Sequence, residues 1–430
     1  MGTARKLLEP APPGRMWQLF LGMAAMMAIS SPQYVWTLFV IPMKSDLKVS
    51  LAALQTTIAI FGFCQAGLGP IHGYFATRIR PNRLVAVGGV LIGLSWISSS
   101  FITDLALMYL TYGVASGVGV GLVFVAVVDL MAKWFPDRRG FAVGMAAGSY
   151  GFGAILTTFP IDAAIKAHGF RYALMVYGAV IGAVCIAAAV GMKKPPGEIL
   201  LAPAADGSAG GRHYTPTQML KTPSFWLLFA MMTMVGVGGL MVISQMAVFG
   251  KSFGIGPTTL VLGMGALPLA LTLDRIANGA TRPLFGWLSD RIGRENAMAI
   301  AFTLEAASIL LLLAFGSNPV LFVVLSGVVF FGWGEIFSLF PAALTDMFGA
   351  RHSADNFGFL FASIAVSSIL GGPLAAFAYE QAGSWPPVFV IVALLDLTAA
   401  ALALWVLKSL RRRQSEGDAL LAAVPSPAPG

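Results

Sequence analysis

Along its 430 residues the chain alternates long apolar runs with short polar, glycine or proline punctuation. Runs lie near 16 to 42, 52 to 76, 84 to 103, 105 to 132, 141 to 164 and 172 to 192, and again near 225 to 249, 258 to 288, 297 to 316, 319 to 346, 356 to 379 and 387 to 408. About 20 apolar residues cross the hydrocarbon core of a bilayer as a helix, and lipid forces the backbone of a spanning segment to bond within itself. The pattern therefore predicts an all-α membrane protein with twelve transmembrane helices. Composition agrees: 57% of the residues are hydrophobic and 11% charged, against roughly a quarter charged in an ordinary soluble domain.

A polar stretch with Pro195, Pro196 and the run AADGSAGG separates two sets of six. The expected layout is an N-terminal segment 1–15, a six-helix bundle 16–192, a linker 193–224, a second bundle 225–408 and a tail 409–430. An even number of spans puts both termini on one side. That side would hold 20 Lys and Arg in its loops and tails, and the other five, Lys44, Lys48, Lys166, Arg171 and Lys251. By the positive-inside rule the termini and linker are cytoplasmic, in a cell (inner) membrane. The same bias explains the net charge of +8 without a nucleic-acid partner. Arg5, Lys6 and Arg15 precede the first run with no Ala-x-Ala-like cleavage site, so that run is expected to stay as a helix. Cys64 and Cys185 both lie in apolar runs and form no CxxC pair.

The halves echo each other at half the chain length. Gly73 to Arg83 after span 2 (GYFATRIRPNR) and Gly286 to Arg294 after span 8 (GWLSDRIGR) are offset by 213 residues, as are Phe135 and Phe348, and Gln33 and Gln245 by 212. Parallel repeats of this kind place a substrate near the midplane between the two halves.

GWLSDRIGR matches the pattern GxxxDRxGR throughout, through Gly286, Asp290, Arg291 and Arg294. It resembles the gating-loop signature of the major facilitator superfamily, which implies two pseudo-symmetric six-helix bundles. In the first-half copy Thr77 replaces the Asp, and Arg80 and Pro81 replace the Gly-Arg pair. Five further stretches, SPQYVWTLF (31 to 39), KWFPDRRGFAVG (133 to 144), QMLKTPSFW (218 to 226), NGATRPLFGWLSDRIGR (278 to 294) and FFGWGEIFSLFP (330 to 341), are similar to the oxalate:formate antiporter branch, close to monocarboxylate transporters. That resemblance implies a pocket for a small carboxylate lined by Gln33, Tyr34, Tyr150, Arg282 and Trp333. It also implies two departures: a second cation expected in span 11 falls at Ile364, and two tyrosines of an aromatic box are here Phe124 and Phe337.

The residues themselves point to span 8. At 100° per residue Asp274, Arg275, Asn278 and Arg282 fall within one 100° stripe. A charge at mid-span costs about 2.5 to 3.5 kcal/mol on insertion scales, so such a stripe is expected to face protein or a water-filled cavity. Arg282 is the expected anion anchor, because a guanidinium binds a carboxylate through two parallel hydrogen bonds and stays charged. Arg275 is a second cation and Asp274 its acidic partner. Glu335, beside Trp333, is a candidate proton carrier or charge balance. Glu305 and Asp396 receive no role. Gly144, Gly148, Gly151 and Gly153 in span 5 read as a close helix-packing face.

The four histidines show no metal-ligand spacing, and there is no Walker sequence, cofactor motif or catalytic constellation. The expectation is a secondary transporter of small organic carboxylates, most like an oxalate:formate exchanger. The alternative is a proton-coupled monocarboxylate symporter, with protons as a further partner.

Overall fold

The computed structural model describes residues 14–196, 213–256 and 258–413. Span 1 is broken into Arg15–Ile29, Ser31–Tyr34 and Trp36–Leu47. Span 2 runs through Leu51–Gly62, a π-helical turn Phe63–Gly67 and Gly69–Arg78. Spans 3 to 6 are Pro81–Ser99, Leu105–Trp134, Arg139–His168 and Phe170–Gly191. In the second half, span 7 is Pro223–Ser252, span 8 Ala266–Ile292 and span 9 Arg294–Phe315. Span 10 divides into Pro319–Trp333 and Ile336–Phe348, span 11 into Ser353–Phe361, Ser363–Ile369, Leu370–Leu374 and Ala375–Ala382, and span 12 is Pro386–Arg413.

Among the described residues, eight of these helices are long and apolar enough to cross a bilayer by themselves. The other four have identifiable reasons to fall short. Span 1 bends by 47° between Tyr34 and Leu38, span 2 is interrupted at Leu68 and span 11 at Ala362, and span 8 carries the charged stripe. Span 8 also begins later than the apolar run near 258 predicts. Leu260–Val261 pairs with Met264–Gly265 as a short hairpin, turned by Leu262 (φ 53°) and Gly263 (φ 77°). Two consecutive positive φ values make the kind of turn that two-residue hairpins favour, so this apolar stretch becomes a loop.

Helix starts follow local chemistry. Asn318 accepts from the Val320 and Leu321 amides ahead of Pro319, Thr222 caps Phe225 N ahead of Pro223, and Asp104 caps Leu107 N. Proline at the first helical position lacks an N–H that would have no partner there anyway. The linker region lies partly outside the described residues. Its described end, 213–222, holds a short helix Pro216–Met219 closed by a Thr215–Gln218 capping box, and Tyr214 N donates to Phe348 O at 3.0 Å. The end of the molecule where residues 193–196 and 213–222 lie is called the linker end below.

The two halves meet along spans 5 and 8 and along spans 2 and 11, and the half-chain repeat is visible in both seams. A side chain on Gly286 would strike the Gly140 carbonyl, and one on Gly73, 213 residues earlier, would strike the Ala354 carbonyl. One step further in, a side chain on Gly144 would strike the Arg282 carbonyl, and one on Gly358 the Gly69 carbonyl. Gly148 and Gly151 are similarly pressed on Gly279, and Gly153 on Met27 of span 1. The glycine face of span 5 is thus a packing surface, which lets backbones approach where lipid supplies no drive for burial. Arg282 occupies, in the second half, the repeat position of Gly69 in the first.

Candidate substrate site

Asp274, Asn278 and Arg282 follow one another at one-turn intervals on span 8 and are all buried, Arg282 to 2% exposure. Arg275 is half-buried on the adjoining face. Its Cζ lies 4.9 Å from the centre of the Tyr34 ring of span 1, a cation–π contact across the two halves.

Arg282 is held on two sides. Nη1 donates to the Ala147 carbonyl of span 5 at 2.5 Å, and Nη2 to Asn278 Oδ1 at 2.6 Å. The Phe337 ring covers its Cζ at 4.5 Å, while Nε makes no hydrogen bond. A guanidinium carries five N–H donors in a planar fork, so the Nε edge keeps donors for a planar acceptor. The polar side chains facing this group are Tyr34, Tyr150 and Glu335.

Aromatic rings fill the space around it. Phe124 of span 4 lies 5.6 Å from Tyr150, 6.3 Å from Phe337 and, stacked, 5.1 Å from Phe361. Trp333 meets Phe337 edge to face at 5.5 Å. On the first-half wall Tyr150 donates to Gln33 Oε1 at 2.5 Å and accepts from Gln65 Nε2 at 3.1 Å, and its ring lies 5.5 Å from Tyr34. The structure thus gathers Phe124, Tyr150, Asn278, Arg282, Trp333 and Phe337 into one buried cluster, with half-buried Gln33, Tyr34 and Arg275 at its edge. Two members were not predicted. Gln65 was legible as a lone amide in the run FGFCQAGLG, whereas Phe361 was hidden in an aromatic-rich stretch of span 11. Ile364, at the expected place of a second cation, packs toward Gly236 of span 7.

The acidic residues behave differently from an ionic partner network. Glu335 sits at the break in span 10, where its backbone carbonyl accepts from Ser338 N at 2.8 Å and Leu339 N at 2.9 Å. Its two carboxyl oxygens are buried without a hydrogen bond, and so are those of Asp274. Neither carboxylate forms an ion pair with Arg275 or Arg282. Asp274 turns toward Ser326 of span 10, whose hydroxyl is already given to the Val323 carbonyl at 3.0 Å. The expected Asp274–Arg275 partnership is therefore replaced by two residues facing different neighbours, because adjacent positions on a helix point about 100° apart.

At the linker end the cluster is closed off by charge. Asp290 accepts from Gly140 N at 3.1 Å and Phe141 N at 2.9 Å, the first amides of span 5. Arg294 bonds Asp290 at 2.5 Å and Asp346 at 2.9 Å, and Arg139 bonds Asp346 at 2.6 Å. Arg291 instead stacks on Trp287 at 4.0 Å. In the first-half copy Thr77 turns back to the Gly73 carbonyl at 3.2 Å, and the remaining pair, Arg78–Asp355, is long at 3.6 Å. A cavity of about 490 Å³ opens on this end, lined by Thr77, Asp129, Lys133, Lys194, His213 and Arg351 among others. It lies apart from Arg282, whose surroundings are packed shut.

Twelve spans in two repeated halves, meeting at a buried charge and closed by a charged loop at one end, describe a multi-pass membrane carrier, and the chain belongs to the Major Facilitator Superfamily, whose profile matches residues 19–275 and 267–428. It is 32% identical over 407 residues to the oxalate:formate antiporter of Oxalobacter formigenes, covering 93% of both chains. It is also 22% identical over 342 residues to monocarboxylate transporter 13 of Bos taurus, covering 79% of this chain and 77% of that one. Among solved structures, a double-tryptophan mutant of XylE superposes with a TM-score of 0.74 at 14% identity, covering 94% of this chain and 98% of that one. The Escherichia coli fucose:proton symporter superposes with a TM-score of 0.67, also at 14% identity, covering 93% and 99%. The protein is a transporter and not an enzyme.

Proposed function

We propose that the protein is a secondary active transporter that carries small organic carboxylates by alternating access, exchanging one acid for another as its 32%-identical relative is named for doing. One observation carries this reading: Arg282, 2% exposed between the halves, has its Nη groups anchored and its Nε edge without an acceptor. A carboxylate entering there gains charge-assisted, bidentate bonds, worth about twice a neutral hydrogen bond. Asn278 positions the guanidinium, and Tyr34, Tyr150 and Gln33 supply polar contacts from the first half. Phe124, Trp333 and Phe337 exclude water, and Arg275 adds a second positive charge behind Tyr34. The basic bias of the loops supports termini and linker on the cytoplasmic face of the cell membrane, and the repeat supports bundles 16–192 and 225–408 as the rocking units.

A second reading, symport of a monocarboxylate with a proton, is favoured by the unpartnered carboxyls. Arg275 and Arg282 together are balanced by Asp274 and Glu335 if both acids are ionised, which leaves no net charge for a dianion. A proton on either acid leaves +1, matched to one monocarboxylate.

Thermal-shift screening of the purified protein with oxalate, formate, lactate and malonate tests binding, since a ligand held by the folded state raises its apparent stability. The shift is expected to vanish in Arg282→Lys, which keeps the charge and loses the fork. Counterflow in oxalate-loaded proteoliposomes then separates the readings. Uptake that requires an imposed pH gradient and ignores internal oxalate overturns exchange in favour of symport.

A further inference from the structure

We infer that Glu305 of span 9 and Asp396 of span 12 form a proton-holding carboxyl pair inside the second bundle, outside the anion site and joined to it through Glu335. Sequence position hides the pair, since the two residues are 91 apart and on helices with lipid-exposed faces. The fold brings them together at mid-membrane. Glu305 is the twelfth of 22 residues in span 9, and Asp396 lies well inside span 12.

Both side chains are 0% exposed, as is Glu335. None of the six carboxyl oxygens makes a hydrogen bond. Glu305 Oε1 lies 2.5 Å, and Asp396 Oδ2 3.4 Å, from the point a Cβ on Gly238 would occupy, which caps their separation at about 6 Å. Spans 7 and 10 are notched to admit them: a side chain on Gly238 would strike Glu305 Oε1, and one on Gly332 its backbone and Cβ. Glu335, itself buried and unpartnered, lies within electrostatic reach of both Asp396 and Arg282.

The charged groups around the pair can be named from each element. Span 10 contributes Glu335, span 7 only the backbone at Gly238 and Gly239, and spans 9 and 12 only Glu305 and Asp396 themselves. Among the described residues no Lys, Arg or His pairs with either acid, and the cation in line is Arg282, beyond Glu335. Two bare carboxylates in a dry interior, about 6 Å apart or less and without a counter-ion, are a costly arrangement that a proton relieves. Among the described residues no group of three metal-ligating side chains is gathered, whereas two carboxyl groups suffice to hold a proton. The step is a proton transfer: an O–H bond of a hydronium ion breaks, leaving water, and one forms on a carboxylate oxygen, removing one negative charge from the pair. Passing the proton to Glu335 turns the carboxylate beside Arg282 into a neutral acid, and its return restores the anion, which makes occupancy of the anion site depend on the pair.

The pair is read from geometry alone; only the cargo that accompanies the proton rests on the carboxylate reading above. Infrared spectroscopy of the full-length protein in lipid nanodiscs tests the pair directly. At about pH 8 ordinary carboxyl groups are ionised, so a protonated-carboxyl stretch is expected in the wild type and is expected to lose intensity in the double variant Glu305→Gln/Asp396→Asn. Absence of that band in the wild type, or an undiminished band in the double variant, overturns the inference. Carboxylate counterflow across pH is the second readout. It is expected to change by up to about tenfold per pH unit in the wild type and less steeply in the double variant; the same pH profile in both overturns the coupling. A wild type that carries none of the carboxylates refutes the cargo reading, while the infrared band still decides the pair. Sodium-dependent thermal stabilisation that disappears in the double variant assigns the site to a metal cation and overturns the proton.

Discussion

Substituting Asp290→Asn isolates the energy that keeps the linker end shut. The aspartate carboxylate accepts the Gly140 and Phe141 amides at 3.1 and 2.9 Å and pairs with Arg294 at 2.5 Å. Both amides lie on span 5, across the boundary between halves, so these two bonds exist only while the end is closed. Asparagine has the same shape and keeps one acceptor, but its bonds are neutral, about 0.5–1.5 kcal/mol where a charged acceptor gives about 1.5–3. Loss of a negative charge at the start of span 5 adds about 0.3–1 kcal/mol. Taken together the closed state loses about 2 kcal/mol, roughly a 30-fold shift toward an open linker end. The shift is measured by double electron–electron resonance between spin labels on the linker-end loops of the two halves, with solvent accessibility of introduced cysteines as a control. A longer distance population is expected to grow at the expense of the short one. Unchanged distances in a folded Asp290→Asn protein would show that the loop motif is ornamental to closure and that the glycine seams alone hold it.

Three further outcomes follow from the same geometry. Tyr150→Phe removes a donor to half-buried Gln33 and an acceptor for buried Gln65, leaving the Gln65 amide short of a partner at about 1–3 kcal/mol; carboxylate affinity measured by thermal shift is expected to fall by about tenfold or more. Gly148→Val pushes a branched side chain against the Gly279 carbonyl, 2.7 Å from the Cβ position, and is expected to stop transport and lower the melting temperature, by about 1–3 kcal/mol of overpacking. Arg139→Gln, which breaks a pair buried on both sides, is expected to destabilise the closed end far more than Arg78→Gln, whose pair is long and whose side chain is 52% exposed; equal effects in chemical unfolding would refute that ranking.

How much of this was legible depends on the range of the contact that matters. Apolar runs and the 213-residue offset revealed the twelve spans and the repeat, because hydropathy and internal similarity are properties of the chain itself. Arg282 was legible for the same reason: a charge in an apolar run is conspicuous without knowledge of its neighbours. The hairpin at 260–265 was not, since Leu260, Val261 and Met264 are as apolar as a span and only the positive φ of Leu262 and Gly263 stops the helix. Asp274 and Arg275 looked like partners because they are adjacent, and the helix separates them. Glu305 and Asp396 looked idle because their significance is mutual, and no local pattern announces that two distant helices will bring two acids to one glycine.

The repeat itself shows how the two halves divide the work. Their backbones make equivalent glycine contacts at both seams, yet Gly69 stands where the second half has Arg282, and Thr77 where it has Asp290. All the mid-span charges, Asp274, Arg275, Arg282, Glu305, Glu335 and Asp396, lie in the second half, while the first half offers amides and hydroxyls, Gln33, Gln65, Tyr34 and Tyr150. A charge moved between environments of different polarity pays its desolvation again at each state. Concentrating the mid-span charges in one bundle leaves few charged contacts to remake at mid-span, the Arg282–Ala147 bond and the Arg275–Tyr34 cation–π contact, while the ion pairs between the halves sit at the linker end. The same arrangement places the anion anchor, the unpartnered acids and the carboxyl pair in one rigid frame, where a change of charge at one is felt at the others without any helix having to move.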